Sequence, residues 1–225
     1  GIDHQTPDPV GGQIEHTAEG EPTGILLETA ATALFRHVPN YSLEQTESGA
    51  VKAMQMLNRA GVIGIKEAST NRQALCAFKK LADEGRLSLR VAACILVKPA
   101  WREDPADLAQ LLADRQQFAT QRLRINYAKL FLDGVPIART AAFLEPYVGD
   151  SPETHDPYAN LLIEREELID DVVRLDGLGL TIKMHATGDA AVRAGLDAVA
   201  MARARNGGNR LRHEFAHAAH VHRDD

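Results

Sequence analysis

Five short apolar runs, at 62–67, 87–97, 125–132, 180–186 and 211–216, recur along this chain with helical patterns at 71–84, 107–119, 164–176 and 189–205 between them. That alternation constrains the fold more than any other feature. Strands joined by helical crossovers of a dozen residues or more pair in parallel, and the crossover helices then cover the sheet. Several of the runs are apolar nearly throughout, as strands buried on both faces are. The pattern predicts an α/β fold. Five strands are too few for a complete (β/α)8 barrel, which takes about 250 residues.

Residues 1–60 stand outside the rhythm. The first 24 are rich in Pro, Gly and acid, which predicts loop with a hairpin between Gln13-Ile14-Glu15 and Ile25-Leu26-Leu27. A helix is predicted over 28–37 and a second over 43–59, where Val51, Met54, Met56, Leu57 and Ala60 recur at near-helical spacing and Gly61 follows as a helix-ending residue. Two regions result: a hairpin and helix region over 1–60 packed on the sheet, and βα units over 61–225. One connection is anomalous. Residues 134–160 contain Pro136, Pro146, Pro152 and Pro157 and are too long for a routine connector, which predicts a lid or substrate loop.

Composition narrows the function. With 44% apolar and 25% charged residues the chain can bury a core, while a net charge of −6 and 5% aromatics give no basic stripe for nucleic acid. No apolar run approaches the roughly 20 residues that span a bilayer. A small-molecule substrate fits best, with neither nucleic acid nor membrane as partner; self-association into a homo-oligomer is compatible with this surface. Cys76 and Cys94 are isolated, so no disulfide or thiolate zinc site is expected, and a reducing, cytoplasmic setting follows. The chain opens on Gly1-Ile2 and closes on Asp224-Asp225 without capping or linker composition, which reads as an internal piece of a longer protein.

The chemistry gathers at strand ends. Thr181-Ile182-Lys183-Met184-His185 is an apolar run ending in histidine, with Gly188-Asp189 opening a helix directly after it. This delivers His185 to the carboxyl edge of the sheet, where α/β proteins place ligands. Lys129 and His217 end or nearly end two other runs. Imidazoles ligate zinc when neutral; a lysine must first lose its proton by burial or become a carbamate, whose two oxygens bridge two cations. Singly, each of these residues is as well explained as a satisfied core histidine or a snorkelling lysine. On successive strands of one sheet they form a convergent set. Asp133-Gly134 follows Lys129 closely and reads as a supporting carboxylate with its turn glycine, or as a strand-ending turn. Asp189 reads as a helix cap, and Arg139-Thr140 as solvated loop or substrate contact.

His213-Glu214-Phe215-Ala216-His217 is also a literal H-E-x-x-H, the zinc protease motif, which requires a helix. On a strand its two histidines stand roughly 13 Å apart and cannot share one ion. The Gly207-Gly208-Asn209 punctuation before it favours a strand. A nonenzymatic α/β domain with a decayed site is the third reading.

The segments GGQIEHTAEGEPTGILLE, YAKLFLDG followed by RTAAFLEPY, KMHATGDAAV, and RHEFAH resemble the amidohydrolase superfamily, specifically the amidohydrolase-3 group that includes N-substituted formamide deformylase-like proteins. The resemblance implies a partial (β/α)8 barrel comprising about strands two to six. It implies that Lys129 matches a fourth-strand lysine, carboxylated in members with two metals, and that His185 and His217 match the fifth- and sixth-strand ligands; Asp133, close behind Lys129, is counted with them as a catalytic candidate on its own position. Divalent metal, zinc above others and one or two ions in the whole protein, would activate water against an amide-type, non-peptide carbon–nitrogen bond. The family's first-strand His-x-His and last-strand aspartate have no counterpart here, so the chain by itself is expected to be inactive.

Overall fold

The computed structural model describes residues 1–9, 11–98, 105–208 and 211–225. Strands β1 (Gly12–His16) and β2 (Pro22–Glu28) form the antiparallel hairpin anticipated from the turn-rich start. The predicted helix over 28–37 is much reduced, to a four-residue α1 (Thr29–Thr32) and a 3-10 turn (Ala33–His37). Two β-branched threonines and the approach of Pro39 leave too short a run to propagate a helix. Helix α2 (Leu43–Arg59) matches expectation, and its start is a capping box in which Ser42 and Gln45 each bond the other's backbone N–H. Its end is closed by Gly61 at φ +76°, with the Val62 N–H donating to Leu57 O at 3.0 Å.

The βα series then runs β3 (Gly64–Thr70), α3 (Arg72–Asp83), β4 (Arg90–Lys98), α4 (Pro105–Asp114), β5 (Leu123–Phe131), α5 (Arg165–Gly177), β6 (Thr181–Ala186), α6 (Asp189–Asn206) and β7 (Glu214–His217). All five of these strands pair in parallel in chain order, and the sheet curls into half of a barrel. The curl is tight enough for Lys66 on one edge strand to bond Glu214 on the other across the concave face. The helices cover the convex face, where Leu75, Leu81, Leu111 and Leu175 pack against Val91, Ile95, Leu123, Ile125, Leu130 and Ile182.

Two departures from simple strands matter. The last strand begins at Glu214 rather than near 211, because the His213 ring accepts the Ile182 N–H at 3.1 Å in place of a ladder bond. Asn209, part of the punctuation read before that strand, lies outside the described residues. In β5 the register slips: Ala92 pairs with Arg124 but Cys94 pairs with Tyr127, so one residue of β5 is extra. This bulge turns the second half of the strand over. Leu123, Ile125, Ala128 and Leu130 all reach the helix side and are fully buried, while Arg124, Tyr127, Lys129 and Phe131 take the concave side. Among the described residues no helix is long and apolar enough to cross a membrane.

Candidate metal centre at the carboxyl ends of the strands

Lys129 is 2% exposed and its ammonium nitrogen lies 4.2 Å from the centre of the Phe131 ring. The same phenyl meets the imidazole of His185, with ring centres 5.0 Å apart. The His185 and His217 rings meet edge to face at 4.6 Å. Phe131 thus links Lys129 to the adjoining His185 and His217 rings. His217 closes β7 with φ +75°, and Ala218 follows at +40°, a left-handed pair that turns the chain away directly after the ring is placed.

Electrostatics suit ligation. Burial, with Lys183 nearby, pushes the Lys129 amine down to about 8, so about a tenth of it at pH 7 is the neutral amine that a carbamate needs. Burial likewise pushes His185 down to about 4 against the opposing effect of its bond to Gly134, with Lys129 and His217 adding to the fall. The ring is neutral at pH 7. Its Nε2 lies 3.2 Å from Gly134 O, and since a carbonyl can only accept, that nitrogen carries the proton and Nδ1 keeps its lone pair. Among the described residues no group of three His, Cys, Asp or Glu side chains is placed to hold a metal. A cation here would take Lys129 as a third donor beside the two imidazoles, His185 buried and neutral and His217 exposed at the strand end, a mixed nitrogen donor set that fits one.

Asp133 has another role. Its carboxylate is 1% exposed and accepts from Ala142 N, Thr187 N, Thr187 Oγ1 and Gly188 N at 2.9–3.2 Å. Burial pushes its pKa up while those donors pull it down. His185 Nε2 stands 3.9 Å away, and the single Thr187 hydroxyl proton is shared between Asp133 and Gly134 O, the latter at 2.6 Å. The carboxylate thus fastens the end of β5, the loop and the turn after β6 to one another. Gly188 is required in this knot, since a methyl there would lie 1.9 Å from Ala142 O.

Residues 134–160 contain no α-helix or strand, as the proline spacing predicts, but they are heavily bonded. Asp189 is not the cap expected of it: Gly188 occupies the cap position, and Asp189 Oδ1 accepts the Leu144 N–H at 2.8 Å, tying helix α6 to the loop. His155 reaches Phe143 O at 3.0 Å, Asn160 donates to Ala141 O at 3.0 Å, and Arg139 pairs with Asp150 over the Tyr147 ring. The H-E-x-x-H reading ends here. Its segment is a strand, and His213 lies at the other end with Nε2 3.0 Å from the buried Asp176, which Asn206 also bonds at 2.9 Å.

Sequence reasoning passed over Thr187, Phe131 and Glu28. Glu28 ends β2 with φ +51°, and burial together with the Asp133 charge pushes its carboxyl up, so the hairpin end approaches the same region. The left-handed backbone at a glutamate has no signal in sequence.

A curled parallel sheet of βα units with two histidines and a desolvated lysine near its carboxyl edge places the chain in the class of half-barrel α/β folds. Comparison with known proteins makes this specific: the sequence model of the Amidohydrolase family matches residues 1–225, and the chain belongs to that family. It is 26% identical to the N-substituted formamide deformylase of Arthrobacter pascens, over 96% of this chain and 40% of that protein. It is 25% identical to the protein LONG AFTER FAR-RED 3 of Arabidopsis thaliana, over 98% of this chain and 38% of that protein. A metal-dependent hydrolase from Pyrococcus furiosus, known by its crystal structure, superposes with a TM-score of 0.65 at 26% identity, covering 93% of this chain and 41% of that one. The chain spans about 40% of the length of the relatives it matches.

Proposed function

We propose that the whole protein hydrolyses an amide-type, non-peptide carbon–nitrogen bond in a small molecule, using a divalent cation, zinc above others, held at Lys129, His185 and His217. The observation that carries this is a neutral His185 against His217, with the buried Lys129 on the far end of the Phe131 contact, at the carboxyl edge of the sheet. A cation held there supplies Lewis acidity, which acidifies water and polarises a carbonyl. The chain's own contribution is to present neutral donors: His185 with its tautomer set by Gly134 O, and Lys129 ready for carboxylation by carbon dioxide. Asp133 positions rather than reacts. Family membership and the Arthrobacter relative support the choice of bond. With two imidazoles and one lysine as donors, the 225-residue chain by itself is expected to turn over no amide.

Metal analysis tests the assignment. Zinc equilibrated with the chain and measured by elemental analysis after desalting is expected to fall at least tenfold for His217→Ala and Lys129→Ala alike, because each loss leaves two donors where three are needed. Unchanged zinc in both variants would remove all three residues from the proposal.

A further inference from the structure

On the concave face, Lys129 and Phe131 of β5 pair in register with Lys183 and His185 of β6. Neighbouring strands stand about 4.8 Å apart, so the two lysines are like charges side by side in one row, with the phenyl and the imidazole side by side in the next. Their surroundings differ. Lys183 Nζ has Glu214 Oε2 at 3.5 Å, a carboxylate it shares with Lys66. Among the described residues none accepts a hydrogen bond from Lys129 Nζ or forms an ion pair with it; the buried nitrogen meets the Phe131 ring at 4.2 Å from its centre.

The face of an aromatic ring is negative, so it receives the N–H groups of an ammonium and of a neutral amine alike. Carboxylation reverses that contact. The Nζ lone pair bonds to the carbon of carbon dioxide, one C=O pair moves onto oxygen, and the proton displaced from nitrogen goes to water. The product is an anion, repelled by the ring face it inherits and attracted by the ammonium in the next strand. We propose that Phe131 and Lys183 are positioning residues that set the carboxylation equilibrium of Lys129 from opposite sides, Phe131 holding the free amine and Lys183 holding the carbamate. The inference rests on the carboxylation in the function proposed above, and it assigns control of that step to two side chains outside the ligand set. Since both lie on the strand pair that carries Lys129 and His185, the arrangement is internal to β5 and β6.

The test uses the whole protein, stripped of metal by chelation. Zinc affinity is measured by competition with a chromogenic chelator across a bicarbonate series at fixed pH and ionic strength, and isotope-labelled bicarbonate reports the carbamate carbon by NMR. The bicarbonate concentration giving half of the gain in zinc affinity is expected to fall about threefold or more in Phe131→Leu and to rise about threefold or more in Lys183→Met. Phe131→Tyr keeps the ring and is expected to keep the wild-type midpoint. Lys183→Met carries the test by itself should Phe131→Leu fail to fold. Side chains that served packing alone would weaken zinc at every bicarbonate concentration and leave the midpoint in place, which would overturn the inference and spare the carboxylation. Shifts of both variants in one direction would overturn it as well. Wild-type zinc affinity indifferent to bicarbonate, with no carbamate signal, would overturn the carboxylation of Lys129 and the inference together.

Discussion

Lys129 lowers stability where it serves the site. Its amine is held at about 8 against an ordinary 10.5, chiefly by burial, so between those values the unfolded chain binds a proton that the folded chain has released. Stability therefore rises as pH climbs from about 8 to about 10.5, and below 8 the folded state bears the full cost of a buried charge, up to roughly 3 kcal/mol. Lys129→Met is expected to raise the melting temperature at pH 7 and to flatten the dependence above pH 8. Thermal melts across pH 7 to 10.5 measure both, and a variant that melts lower at pH 7 would refute the burial argument. Stability surrendered at one residue in this way is the usual mark of a functional position.

At the scale of elements, the connections between strands matter as much as the strands. Asp133 at the end of β5 bonds three backbone amides and one hydroxyl beyond its own strand, so its loss reaches the loop and the His185 turn together. Asp133→Asn keeps the volume but turns an NH2 group toward donors, and an unfolding loss of at least about 3 kcal/mol is expected by urea titration. A loss under 1 kcal/mol would mean that the knot is held by the surrounding backbone. At the opposite end of β6 and β7, His213, Asp176 and Asn206 form a second polar knot. His213→Ala is expected to cost about 2–4 kcal/mol by the same titration while leaving bound zinc unchanged. Loss of zinc in that variant would revive the motif that the strand geometry has dismissed.

For the whole molecule, what could be read from the sequence was whatever depends on neighbours along the chain. Alternating apolar runs and amphipathic helices give five parallel strands, the Gly61 signal ends α2, and the histidines fall at strand ends. These are local propensities, expressed wherever the chain goes. The tertiary structure decided which face each residue takes and what it meets there. Strict alternation from Leu123 and Ile125 would put Lys129 under the helices; the bulge in β5 puts it on the concave side with Phe131 and within reach of the histidines. Likewise Asp189 binds the loop instead of capping its helix, and His213 serves Asp176 instead of a metal. Sequence spacing fixes distance along a strand, but a single extra residue inverts every face beyond it, and only the pairing with β4 determines where that residue falls.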